Sequence, residues 1–120
     1  MASVLIVDDD FLLNDVLTRM LSIGGHIVVG QAYNGAEAVE MFDRLNPKPD
    51  IILMDYRMPV MDGTSATRKI IQIHPGSRII FISADDTVRV DALNAGALGF
   101  LTKPIRSNTL FAAIEKCVAS

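Results

Sequence analysis

Four apolar runs in this chain end in residues suited to handling phosphoryl oxygens or a divalent cation. Val4-Leu5-Ile6-Val7 ends in Asp8-Asp9-Asp10, and Ile51-Ile52-Leu53-Met54 ends in Asp55. Ile79-Ile80-Phe81-Ile82 ends in Ser83, and the shorter Gly99-Phe100-Leu101 passes through Thr102 into Lys103-Pro104. Taken singly, each has an ordinary reading: an acid after a strand caps the next helix or favours its positive end, and Lys103-Pro104 makes a surface turn. Gathered at one place they mean more. Two carboxylates about 4 Å apart repel by on the order of 4 kcal/mol at an effective dielectric near 20, so such an arrangement calls for a cation. Mg²⁺ suits it, because that ion uses one or two carboxylates, keeps waters and shares phosphate oxygens. Zinc lacks its usual ligands here, since His26 and His74 stand away from the strand ends and Cys117 is remote.

The elements that position these residues follow from the pattern. Continuous apolar runs suit parallel strands buried on both faces, and strands lying side by side share one carboxyl edge, where open α/β sheets bind ligands. A first helix is predicted from about Asp10, with Leu12, Leu13, Val16, Met20 and Leu21 facing inward, ending at Gly24-Gly25. Ile27-Val28-Val29-Gly30 reads as the second strand. Asn34 and Glu37 form a capping pair for a second helix with an apolar stripe of Ala38, Val39, Phe42 and Leu45, closed by Asn46-Pro47-Lys48-Pro49. Met58-Pro59-Val60-Met61-Asp62-Gly63 reads as a loop in which Asp62 caps a third helix, and His74-Pro75-Gly76 ends that helix. A fourth helix is expected over about 87–95 with Gly96 at its end. Ser107 is expected to cap a fifth, which carries Leu110, Ala113, Ile114 and Cys117 on one face. Five strand and helix alternations with right-handed crossovers make a three-layer α/β sandwich.

A chain of 120 residues, half of them apolar, can bury a core as one domain without disulfides. No stretch approaches the roughly 20 apolar residues that span a bilayer. A strand that follows Met1-Ala2-Ser3 directly leaves no room for a signal peptide, so a cytoplasmic location is expected. No linker or second core is visible, and no attached output domain is expected. Cys117 is the only cysteine and lies in helical register with apolar neighbours, as a buried small hydrophobe does. A net charge of −3 without a basic run is not the footprint of a nucleic-acid binder.

The Asp pair after the first strand, the Asp after the third followed by Met-Pro-Val-Met-Asp-Gly, Ser83-Ala84 and Gly-Phe-Leu-Thr-Lys-Pro resemble the receiver domain of two-component response regulators, in that family's order and spacing. The resemblance covers nearly the whole chain. It implies a flavodoxin-like, doubly wound fold with a five-stranded parallel sheet of order 2-1-3-4-5 and five helices. It implies that Asp55 is the phosphoacceptor, attacking a phosphohistidine of a sensor histidine kinase or histidine phosphotransfer protein. Asp9 would bind Mg²⁺ (or Mn²⁺) directly and Asp8 mainly through water, with Asp55 and the Arg57 backbone carbonyl completing the protein ligands. Lys103 would pair with a phosphoryl oxygen, while the Ser83 hydroxyl and the Ala84 N–H contact others. A cis Lys103-Pro104 bond is implied, as is a switch in which Ser83 moves toward the phosphate and Phe100 turns inward. That switch would remodel the face of helix four, strand five and helix five for a downstream protein target. The domain would act as a monomer or a phosphorylation-dependent dimer, with no direct contact to nucleic acid or membrane.

Several positions narrow this expectation. Phe100 lacks the hydroxyl of the Tyr found there in many members, so a switch needing that hydrogen bond is excluded. Arg57 and Asp85 stand where the family tunes acyl-phosphate lifetime, and an ion pair between them would screen water. Asp10 reads as the cap of the first helix rather than a ligand. Val88, Val90 and Phe111 are candidates for exposed contacts on the output face. A haloacid-dehalogenase-type phosphatase also uses a strand-end Asp, Mg²⁺ and Lys, but it needs an acid two residues after the nucleophile, where this chain has Arg57, and a cap domain. A flavodoxin-like FMN binder needs a Ser-, Thr- and Gly-rich phosphate loop after strand one, where this chain has three acids. A phosphorylation-independent interaction module would be marked by loss of an acceptor, metal or lysine residue, and the set is complete.

Overall fold

β-Branched and long aliphatic residues fill the apolar runs, and their backbones pair in parallel. The computed structural model describes residues 1–119. Its elements are β1 (Ser3–Val7), α1 (Phe11–Ile23), β2 (Ile27–Ala32), α2 (Gly35–Arg44), β3 (Ile51–Asp55), α3 (Gly63–Ile73), β4 (Ile79–Ser83), α4 (Arg89–Ala95), β5 (Gly99–Thr102) and α5 (Ser107–Val118). The sheet order is β2-β1-β3-β4-β5, all parallel, as expected. From β1 the chain runs outward to β2 and then returns to the other side of β1 as β3. The carboxyl ends of β1 and β3 therefore flank the point where the winding reverses, the usual ligand crevice of such sheets.

Alternate strand residues face two separate cores. Leu5, Val7, Ile52, Met54, Ile79 and Phe81 meet Ala38, Phe42, Ala66, Ile70 and Ala92 of α2, α3 and α4. Val4, Ile6, Ile51, Leu53, Ile80 and Ile82 meet Leu17, Leu21, Leu110, Ile114 and Cys117 of α1 and α5. Burial on both faces explains why the strands read as unbroken apolar runs. Among the described residues no helix is long and apolar enough to cross a membrane.

Helix starts follow their side chains. Asn34 Oδ1 accepts the Glu37 N–H at 2.9 Å, while the Glu37 carboxylate reaches back past Asn34 to the Tyr33 N–H at 3.0 Å. Asp62 Oδ1 accepts the Ser65 N–H at 2.9 Å at the head of α3. Gly96, at φ 117°, closes α4 in the left-handed conformation that glycine adopts without Cβ strain.

Four expectations are corrected. In α1 the fully buried residues are Asn14, Leu17 and Leu21, whereas Leu12 and Val16 are exposed beside a cleft at the sheet edge. Strand β2 continues two residues past Gly30, pairing as far as Val7 with Ala32 beyond a register shift between Val4 and Leu5 that leaves Val29 unpaired with β1. The fourth helix is split: a 3₁₀ turn at Asp86–Val88, capped by Asp85, precedes α4. Ser107 is the first residue of α5 rather than its cap; Arg106 holds the cap position without a side-chain bond. Ile105, packed against the second core, leads the chain into that start.

Candidate functional site

The end of β1 is pinned before its acids leave the sheet. Asp8 still donates its N–H to the Ala32 carbonyl at 3.1 Å, and its fully buried side chain accepts the Asp10 N–H on Oδ1 at 2.9 Å. Asp10 in turn caps α1, accepting the Leu13 N–H at 3.1 Å. Asp9 is exposed at the same edge. Carboxylate oxygens of Asp8, Asp9 and Asp55 all lie within 4.8 Å of one another.

Lys103 reaches this cluster from β5. Its Nζ stands 3.1 Å from Asp8 Oδ2 and 3.2 Å from Asp55 Oδ1, donating a hydrogen bond to the latter. The Lys103–Pro104 peptide bond is cis, as is Asn46–Pro47. Burial opposes the Lys103 charge, but the carboxylates of Asp55 and Asp8 outweigh it and raise its pKa above 10.5. Burial, then the charge of Asp8, push the Asp55 carboxyl up from 3.8 to about 7 against the pull of Lys103. One ammonium therefore does not balance these acids. Asp8 Oδ2 is buried and meets the Lys103 ammonium as an ion pair. A buried acidic oxygen that shares one ammonium with a second carboxylate, and faces a third, fits a hard divalent cation.

A pocket of about 200 Å³ opens beside Asp55, lined also by Arg57, Ser83, Ala84, Asp85 and Lys103. The buried Ser83 hydroxyl oxygen accepts the Asp85 N–H at 3.1 Å. Asp85 accepts from the Thr87 hydroxyl and N–H at 2.6 and 2.9 Å, bonds that hold its carboxyl below the usual range. Its other oxygen lies 3.4 Å from Arg57 Nη2. That pair is largely exposed and screened by water, so it contributes little to stability and matters as a cover for the pocket.

The switch candidates lie further along the sheet. Phe100 is already buried, paired with Phe81 in the sheet register and covered by the Arg89 guanidinium 4.6 Å from its ring centre. Of the residues expected on the outer face, Val90 is exposed, whereas Val88 is buried. Phe111 packs beside Gly24 and His26, away from α4, because α5 turns that side toward α1.

Two residues escaped the sequence reading. Tyr56 follows the strand-end acid and donates its hydroxyl to Asp91 of α4 at 2.9 Å. Asn14 is fully buried and donates to the Asp8 and Ala32 carbonyls, each at 3.2 Å. Its signal was the spacing Asn14, Leu17, Leu21, one helical face. Gly63 has a close-approach role: a Cβ there would strike the Asp55 carbonyl.

A sequence model described as the response regulator receiver domain matches residues 4–115. The chain is 39% identical over 115 residues to the chemotaxis protein CheY of Thermotoga maritima, covering 94% of each. It is 37% identical over 116 residues to the positive alginate biosynthesis regulatory protein of Pseudomonas aeruginosa, covering 95% of this chain but only 46% of that longer one. Among solved structures, the receiver domain of a sensor histidine kinase from Pseudomonas aeruginosa, with magnesium coordinated in its active-site cleft, superposes with a TM-score of 0.89 at 32% identity. That match covers 99% of this chain and 98% of the other. Family-wide sequence agreement and the doubly wound sheet coincide over almost every residue, and the chain belongs to the response regulator receiver domain family of two-component signalling.

Proposed function

We propose that residues 1–120 form one receiver domain in which Asp55 accepts a phosphoryl group from a phosphohistidine of a sensor histidine kinase or histidine phosphotransfer protein. The observation that carries this reading is Asp55 at the mouth of a pocket, within 3.2 Å of Lys103 and beside Ser83 and Ala84. An Asp55 oxygen attacks phosphorus, the P–N bond breaks with its electron pair passing to the imidazole, and an acyl phosphate results. Lys103 holds one phosphoryl oxygen, and the Ser83 hydroxyl and Ala84 N–H hold others, which places positive charge and donors where negative charge develops. Asp8, Asp9, Asp55 and the Arg57 backbone carbonyl would hold Mg²⁺ or Mn²⁺, a reading supported by the magnesium in the cleft of the related kinase receiver domain. When bound, the ion supplies charge that offsets the phosphoryl oxygens.

The domain catalyses only its own phosphorylation and slow hydrolysis, with no separate metabolic substrate, and works in the cytoplasm. Phosphorylation replaces the Asp55 carboxylate charge with a phosphoryl group carrying roughly −2 and brings new acceptor oxygens next to Ser83. Ser83 and Phe100 respond, shifting a pre-existing equilibrium of the α4, β5 and α5 face toward binding a downstream protein or a second receiver. Support for that route comes from the ties of α4 and its preceding turn: Tyr56 to Asp91, Thr102 to Asp86, and Arg89 over Phe100.

Incubation with acetyl phosphate and Mg²⁺, read by intact mass, tests the acceptor. One phosphoryl is gained, the adduct is labile to hydroxylamine, and Asp55→Asn abolishes it. No gain with several donors would leave a phosphorylation-independent binding module as the reading.

A further inference from the structure

The acid pair at the end of β1 has a support that none of the catalytic roles above includes. Asn14 is a polar residue at the centre of the buried face of α1, between the second core and the sheet edge. Both hydrogens of its amide are used, one on the Asp8 carbonyl and one on the Ala32 carbonyl, each at 3.2 Å. Those carbonyls can only accept, which fixes the orientation of the amide and directs its oxygen the other way. There Gln31 Nε2 donates to Asn14 Oδ1 at 3.0 Å, and also contacts Thr18 Oγ1 at 3.0 Å and Asp15 Oδ1 at 3.2 Å. One amide thus ties helix α1 to the last backbone groups of β1 and β2, at the residue that carries the buried acid.

We propose that Asn14 is a positioning residue for the cation site, clamping the Asp8 backbone so that the Asp8 and Asp9 carboxylates are aimed together, with Gln31 holding the Asn14 amide in place. The inference rests on the reading of Asp8 and Asp9 as cation ligands. Strand pairing holds the Asp8 N–H, on the Ala32 carbonyl, but leaves the Asp8 carbonyl beyond the last paired residue Val7, and Asn14 takes that carbonyl. The clamp acts on the residue whose buried Oδ2 meets only the Lys103 ammonium among the described residues and so depends on where its backbone puts it. Groups that fix metal ligands from behind typically control affinity by about tenfold or more.

Asn14→Leu fills nearly the same space without donors, and Gln31→Ala leaves the Asn14 donors in place while removing the side chain that supports its oxygen and also contacts Thr18 and Asp15. Titration calorimetry with MgCl₂ on the full chain, paired with thermal melts without the ion, separates positioning from folding. The Mg²⁺ dissociation constant is expected to rise about tenfold in Asn14→Leu and by a smaller factor in Gln31→Ala. The double variant should bind no more weakly than Asn14→Leu alone, since Gln31 acts through Asn14. A folding role alone would lower the melting temperature and leave the dissociation constant unchanged, and that result overturns the proposal. If Asn14→Leu does not fold, Gln31→Ala decides: unchanged affinity there is equally fatal. Absence of Mg²⁺ binding by the unaltered protein would remove the cation reading itself, and the clamp with it, an outcome distinct from equal binding by all three.

Discussion

Asp55 carries a conflict between its place and its task. Only 8% of its side chain is exposed, and burial followed by the Asp8 charge holds its carboxyl at about 7, where an ordinary one sits at 3.8. A nucleophile must be ionised, so the ion-free site is partly protonated near neutrality. Between those two values the folded chain keeps a proton that the unfolded chain releases, so stability from this group falls as pH rises. The contribution is complete below 3.8 and is lost as pH rises through about 7. Its slope is at most about 1.4 kcal/mol per pH unit, the value for one proton. Urea unfolding of the ion-free protein across this window should show that slope relative to Asp55→Asn, and parallel curves for the two proteins would refute it. The acids and Lys103 were legible in the sequence because each ends an apolar run, which fixes its place on a parallel sheet. Asn14 was missed although it shares a helical face with Leu17 and Leu21, because that spacing gives its burial but not the carbonyls it serves.

At the scale of elements, the loop between β3 and α3 joins strain to capping within three residues. Val60 is 84% exposed, yet its φ is 68°, a region in which a β-branched side chain crowds its own backbone. Val60→Asn should therefore stabilise the domain, by up to about 1 kcal/mol, since Asn tolerates that conformation and little apolar contact is lost. Two residues on, Asp62→Ala should destabilise by about 1 kcal/mol through loss of the cap, while Asp62→Asn stays close to the parent. Chemical denaturation of the three variants checks the opposite signs; equal effects would mean that the loop conformation governs neither. Capping was readable in advance for Asp10, Asn34 and Asp62, whose side chains can accept a bond from an N–H three residues on. The buried face of α1 was not. Leu12 and Val16 belong to its apolar pattern but line an open cleft with Pro104 and Ile105, and only the tertiary placement of β5 and the start of α5 decides that.

Across the whole molecule, two cores press helices onto both faces of the sheet and leave its carboxyl edge to hold three acids against one lysine. That excess of negative charge opposes folding wherever no cation is present. Asp9 is the exposed member of the cluster, so replacing it with Asn removes a charge without orphaning a buried partner. Ion-free Asp9→Asn should consequently melt above the parent. Addition of Mg²⁺ inverts the order. A ligand that binds only the folded state stabilises it by about 2.7 kcal/mol at a hundred times its dissociation constant. For a domain of this size that is a rise of roughly 10 °C. The parent should show that rise and Asp9→Asn little of it, so the two melting curves exchange order between chelator and MgCl₂. The crossing distinguishes an ion seated among these carboxylates from general salt screening, which would move both proteins alike. An equal rise in the variant would place the cation elsewhere on the molecule, and a lower melting point for the ion-free variant would mean that Asp9 makes a favourable contact rather than adding to the repulsion at the edge.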